Sequence, residues 1–149
     1  MDRIPRTIPK EHRMPITLTN PAGVPQVDLY HHVAVATGSR QVFLAGQVSW
    51  DADGVTVGVG DLAAQVEQAL MNVATALAAV GGTLADVVKF TVYLVDWTPD
   101  KMGAYVEGVA RAADRLGVPV PQAPLTGIGV AALAGPELLV EIDATAILD

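Results

Sequence analysis

The closing stretch VEIDATAILD places two carboxylates, Glu141 and Asp143, two residues apart, and no Lys or Arg occurs from Val118 onward to pair with them. Residues two apart on a strand share a face and lie about 6.5–7 Å from each other. Both carboxylates would therefore point the same way, opposite Val140 and Ile142. Such a pair has two readings. It lines a solvated or intersubunit surface of an amphipathic strand, or Glu141 positions or protonates a water in a cleft. Enclosure in an apolar cleft favours the neutral form of a carboxyl, and a neutral carboxyl can act as a general acid. Carboxylates with no histidine nearby make a poor metal site. His31 and His32 are adjacent, so on a strand they face opposite sides, and structural roles suit them better than a shared metal. Lys89 reads as an exposed strand residue rather than a Schiff-base lysine. The glycines of GVTVGVG (54–60) precede a helix without the GxGxxG or GKS pattern of a phosphate loop. Trp50 and Trp97 fall in turn regions, where they pack at a rim or wall a ligand cleft.

The elements that must position these residues follow from periodicity and turn chemistry. MPITLTNP (14–21) reads as a first strand, and HHVAVAT and QVFLAGQVSW as two more, joined by a hairpin signal at Gly38-Ser39-Arg40. DADG (51–54) is a turn with its glycine placed for positive φ. Asp61 is an N-cap for LAAQVEQALMNVATALAAV, which Gly81-Gly82 terminates. Leu62, Val66, Ala69, Leu70, Val73, Leu77 and Val80 recur at helical spacing there, while Gln65, Gln68, Asn72 and Thr75 fall off that stripe. In TLADVVKFTVYLVD, Val88, Phe90, Val92 and Leu94 alternate with Lys89, Thr91 and Tyr93, the pattern of a half-buried strand. A second helix is entered at Pro99 with Thr98 as its cap and ends near Gly117. Two strands around the turn Ala134-Gly135-Pro136 close the chain. The order is β-β-β-α-β-α-β-β, an α/β (α+β) arrangement with a six-stranded mixed sheet. Two helices cannot cover both faces of such a sheet, so the second face is expected to be buried against other subunits.

Composition bounds the function. At 149 residues the chain fits one domain, and hydrophobic residues make up 51% against 5% aromatic, so the core must be aliphatic. There is no cysteine, which excludes a disulfide scaffold, a thiolate metal site and a Cys nucleophile. No apolar run approaches the ~18–20 residues of a membrane span, and a net charge of −7 disfavours nucleic acid as a partner. These features lead to the expectation of a soluble, cytoplasmic protein that needs no cofactor. Residues 1–13 hold Arg3, Arg6, Lys10 and Arg13 against Asp2 and Glu11, with Pro5 and Pro9 opposing a helix. They are read as a flexible basic arm, with Met14 an alternative start, and 14–149 as the single domain.

Five motifs in order then carry a resemblance. Tyr30 with His32, Phe43-Leu44-Ala45-Gly46-Gln47, the helix DLAAQVEQALMN (61–72), GGTLADVVK (81–89) and VEIDA (140–144) are together similar to the RidA/YjgF family of reactive-intermediate (enamine/imine) deaminases. Some of its members carry an endoribonuclease or translation-inhibitor label. The resemblance covers about four-fifths of the chain. It implies the chorismate-mutase-like RidA fold, a homotrimer, and small-molecule clefts between adjacent subunits. It also implies Glu141 as the catalytic acid and Tyr30, Ala45, Gly46, Leu125 and Thr126 as substrate-binding positions.

The departures from the family pattern decide the expected substrate. Leu125 stands where deaminating members carry the Arg that pairs with the carboxylate of a 2-imino acid. Ala45 stands where many have Ser, and Gly103 approximately where they have Asn. Arg is suited to bidentate carboxylate recognition and Leu cannot replace it. The resulting expectation is hydrolysis of an enamine- or imine-type metabolite other than the usual 2-imino acids, with a noncatalytic trimer that binds a metabolite or a protein as the alternative. The ribonuclease label finds no basic patch and no His–His or His–Lys pair to support it. Leu125 and Glu141 are further expected to face one cleft from adjacent antiparallel strands.

Overall fold

Asp61 caps the first helix as expected, its carboxylate accepting from the Ala64 amide at 3.0 Å. Helix α1 runs Leu62–Ala78, and the Gly82 amide closes its end on the Leu77 carbonyl at 2.8 Å. The computed structural model describes residues 16–149, so the arm expected over 1–13 and the alternative start at Met14 lie outside the described residues. The strands are β1 (Thr17–Thr19), β2 (Val33–Val35), β3 (Arg40–Phe43), β4 (Val87–Val95), β5 (Leu125–Val130) and β6 (Val140–Leu148). The chain enters its second helix through a 3₁₀ turn at Pro99–Lys101, and α2 spans Met102–Leu116. Gly117 ends α2 in the left-handed conformation at φ 64°, where a glycine carries no Cβ strain.

The element order is the expected one, but the six strands divide into two sheets. β1 and β2 pair with each other, and a four-stranded sheet has the order β3-β6-β4-β5. β6 is antiparallel to both β3 and β4, while β4 and β5 are parallel. The hairpin expected at Gly38-Ser39-Arg40 does not form, because β3 takes β6 as its partner. Gly38 serves a different purpose: a Cβ there would meet the Leu148 carbonyl oxygen at 2.5 Å and Ile147 Cγ2 at 2.6 Å. The glycine allows the chain to pass against the end of β6.

Both helices lie on one side of the four-stranded sheet. Val66, Val73 and Leu77 of α1 and Ala112 of α2 join Val92, Val140 and Ile142 in one apolar cluster, all at most 1% exposed. The helices cross closely at Gly108, where a Cβ would lie 2.5 Å from the Ala63 carbonyl oxygen. Arg115 and Arg111 of α2 reach Glu67 of α1 at 3.2 and 3.9 Å at the surface, contacts of the exposed kind that add little stability. No described helix is long and apolar enough to cross a membrane.

Candidate functional site

The sheet ladder locates the site. β3 and β6 pair regularly from Arg40↔Leu148 to Phe43↔Thr145, and the Leu44 amide continues the register to the Ala144 carbonyl at 3.2 Å. Three residues later Gln47 and Ile142 exchange both backbone bonds at 2.8 Å. Ala45 and Gly46 thus oppose the single residue Asp143, which is a β-bulge. Bulges of this kind re-aim side chains and recur beside active sites. No described residue accepts a hydrogen bond from the amide of Ala45 or Gly46.

Glu141 sits directly on the bulge. A Cβ on Gly46 would lie 2.8 Å from both Cδ and Oε2 of Glu141, so the carboxylate fits there only because residue 46 has no side chain. Glu141 and Asp143 alternate with the buried Val140 and Ile142 and face away from the helices. Across β4 on the same face stand Tyr93 opposite Glu141 and Thr91 opposite Asp143, with Ile128 and Thr126 next to these on β5. No hydrogen bond or ion pair from a described residue reaches either carboxylate. The Lys89 ammonium shares this face but donates to Thr126 Oγ1 at 2.6 Å rather than to a carboxylate.

Helix α1 holds both segments of the site from behind. Gln65 is fully buried. Its side-chain amide donates to the carbonyls of Glu137 and Gly58 at 2.9 and 3.2 Å, and its oxygen accepts from the Leu139 amide at 2.8 Å. That grip lies two residues before Glu141. Asn72 donates to the carbonyls of Val48 and Trp50 at 2.9 and 2.8 Å, just after the bulge. Gln68 holds the Asn72 side chain in place through a bond of 3.0 Å. Sequence periodicity puts Gln65 and Asn72 off the apolar stripe. A side-chain amide can be buried when all its polar atoms are paired, and Gln65 meets that condition. Its i, i+7 spacing to Asn72 was the available signal.

The remaining expected positions are placed elsewhere. Leu125 pairs with Phe90 on β4, and Phe90 pairs with Ala144 on β6. β5 and β6 are therefore not adjacent. Phe90 and Ala144 are core residues at 4% and 1% exposure, so Leu125 faces the helices while Glu141 faces away from them. Two strand spacings and three residues of offset separate them by roughly 14 Å. The expectation that the two share one cleft from adjacent antiparallel strands is corrected within the protomer. β4 lies between them, and the odd offset turns their side chains to opposite faces. Tyr30 lies at the Leu125 end, since its neighbour His31 donates its amide to the Gln122 carbonyl at 2.9 Å. Its ring meets that of His32 edge-on at 5.4 Å between centroids. Gly103, near the start of α2, has open space where a side chain would be. Glu141, Ala45 and Gly46 are thus brought together, and Thr126 shares their face. Tyr30 and Leu125 are not with them.

A carboxyl beside unpaired backbone donors can orient a water, exchange a proton with a reacting group and hold developing negative charge. The sequence profile of the family described as Endoribonuclease L-PSP matches residues 24–148. No curated protein matches the chain. Among solved structures, the chain is similar to YyfB of Yersinia pestis, described as a protein of unknown function of the conserved Rid family. The two are 38% identical, with TM-score 0.79, over 91% of this chain and 100% of that one. It is also similar to Rv2704 of Mycobacterium tuberculosis, a member of the YjgF/YER057c/UK114 family, at 31% identity and TM-score 0.55 over 80% and 86% of the chains. A third similarity is to RidA of an Antarctic Psychrobacter, at 26% identity and TM-score 0.62 over 91% and 100%.

Proposed function

The chain belongs to the RidA/YjgF family, the endoribonuclease L-PSP group of its sequence profile, and from that premise we propose that it is a cytoplasmic homotrimer that hydrolyses a neutral enamine or imine in clefts between its subunits. The observation that carries this reading is the seating of Glu141 on the Ala45–Gly46 bulge, on the open face of the sheet, with no described residue bonded to its carboxylate. That face also carries Phe43 at 73% and Ile128 at 40% exposure, apolar surface that a second copy of the chain would cover.

In this reading Glu141 protonates the enamine carbon and then holds the water that attacks the resulting iminium carbon. Collapse of the adduct releases ammonia and leaves a carbonyl. The bulge amides, which no described residue engages, support the oxygen that forms. With Leu125 turned toward the helices, no cation stands at that position to grip a substrate carboxylate. Removing a carboxylate from water without a counter-charge costs several kcal/mol, so a neutral substrate suits the site better than a 2-imino acid. Nuclease activity finds little support, because among the described residues Lys89 brings one cation to an open face that holds two carboxylates.

The test compares ammonia release from a carboxylate-free imine, generated in situ by an amine oxidase, with release from 2-aminoacrylate. Acceleration of the first and little of the second is the expected result. Equal and strong acceleration of 2-aminoacrylate would overturn the neutral-substrate reading. Acceleration of neither would favour the noncatalytic binding trimer.

A further inference from the structure

The other side of the sheet holds a cavity that the chemistry at Glu141 does not use. Phe90, Ile142 and Leu125 of the sheet, Leu70 of α1, and Tyr105 and Val109 of α2 form its walls, and about 80 Å³ of it is open to the centre of a water-sized sphere. On that measure a single water needs about 10–15 Å³, together with two to four polar partners. Room is therefore not limiting, but partners are. Tyr105 is the one polar side chain among the residues that line the cavity, and no described residue bonds its hydroxyl. Several waters cannot be satisfied there, so the space is poorly hydrated and favours apolar occupants. The mouth is marked by the exposed Val106 and Ala110 of α2 and by Val120. Deeper in, Ile142 and Val92 are 1% exposed.

We infer that this cavity is a second ligand site, which takes a small neutral molecule about the size of one benzene ring and bearing a single hydrogen-bonding group that engages the Tyr105 hydroxyl. Charged ligands are excluded, because the lining offers no counter-charge and desolvation would not be compensated. Leu125 is part of the wall. The position at which deaminating relatives carry an Arg here completes an apolar chamber instead. Burial pushes the Tyr105 phenol up to about 12, so it remains a neutral hydrogen-bonding group throughout the physiological range. The site lies across the sheet from Glu141 and does not depend on the hydrolytic reading.

Methyl-labelled protein titrated with benzene and with phenol tests the inference. Both probes are expected to shift the methyl resonances of Leu70, Val109, Leu125 and Ile142. Phenol should bind about three- to tenfold more tightly, the equivalent of one net hydrogen bond. That preference should vanish in Tyr105→Phe, with benzene affinity kept. Ala110→Leu, at the exposed rim of α2, should weaken both probes about tenfold while the Tm stays unchanged. An absence of shifts at millimolar benzene and phenol in the folded protein would overturn the site. Shifts confined to Val106 and Val120 would do the same. A phenol preference that survives Tyr105→Phe would remove that residue from it.

Discussion

Along β6, Val140, Ile142, Ala144 and Ala146 point into the helix side, where each is at most 1% exposed. Glu141, Asp143, Thr145 and Ile147 point the other way and are only half-buried. One strand thus serves two faces with different demands. The helix face needs volume and tolerates no unpaired charge. The open face leaves two carboxylates unpaired by any described residue, beside a bulge whose amides no described residue engages. The contrast teaches that Leu125 and Glu141, both at functional positions of the family pattern, answer to different constraints in this chain. Leu125 answers to packing and, under the proposed function, Glu141 answers to chemistry.

The largest effect should come from moving open-face chemistry onto the helix face. Ile142→Asp buries a charge among Val92, Val140 and Leu70 with no partner, a change on the order of 4 kcal/mol or more. The variant is expected to be unfolded or molten by near-UV circular dichroism. A cooperative, native-like melt would show that the helix face is not sealed.

Leu125→Arg is the next sharpest probe. If the residue faces the apolar chamber, the guanidinium must snorkel out or stay unpaired, costing roughly 2–4 kcal/mol. The urea midpoint should fall accordingly, with no gain of 2-imino-acid turnover. A variant of unchanged stability that gains such turnover would place residue 125 on the catalytic side.

A smaller effect should follow pH. The Tyr105 phenol is raised by burial to about 12, above the ~10 of an unfolded chain. The fold accommodates the neutral form, so its contribution is complete below pH 10 and is lost as pH rises toward 12, on the order of 2 kcal/mol. Tyr105→Phe should therefore flatten the loss of stability between pH 10 and 12 in denaturant melts. An unchanged slope would show that the phenol is well solvated.

The mildest change in stability belongs to the open face. In Gly46→Ala the new Cβ meets Cγ, Cδ and Oε2 of the Glu141 side chain first, and that flexible side chain can swing aside. Stability should change by about 0.5 kcal/mol or less, while turnover falls at least about tenfold because the carboxylate leaves its seat. Unchanged turnover would separate the bulge from the chemistry.

Much of this division was legible in the sequence, and the reasons differ by element. Period-two alternation in VEIDATAIL fixes which carboxylates share a face, and Asp61 with Gly81-Gly82 bounds α1, because caps and alternation are local. The DADG turn is equally local: Gly54 has φ 77°, and Asp51 accepts from the amides of Asp53 and Val55 at 2.9 Å each. Strand partnership is not local. Gly38 has the same identity whether it turns a hairpin or makes room for Leu148, so the pairing of β3 with β6 could not be read from its neighbours. The insertion of β4 between β5 and β6 is a matter of topology, and it moved Leu125 away from Glu141. Gln65 was missed for a related reason. Its partners at Glu137 and Leu139 lie more than 70 residues away, and only that distant pairing makes a buried amide favourable.

The proposal that the open face performs hydrolysis through Glu141 is tested most directly by the rate of ammonia release from a neutral imine in wild type and Glu141→Gln. The substitution keeps the shape and removes the ionisable proton. The account predicts a rate lower by about 10²-fold or more, with the Tm and the light-scattering mass unchanged. A Glu141→Gln protein that releases ammonia at the wild-type rate would contradict it.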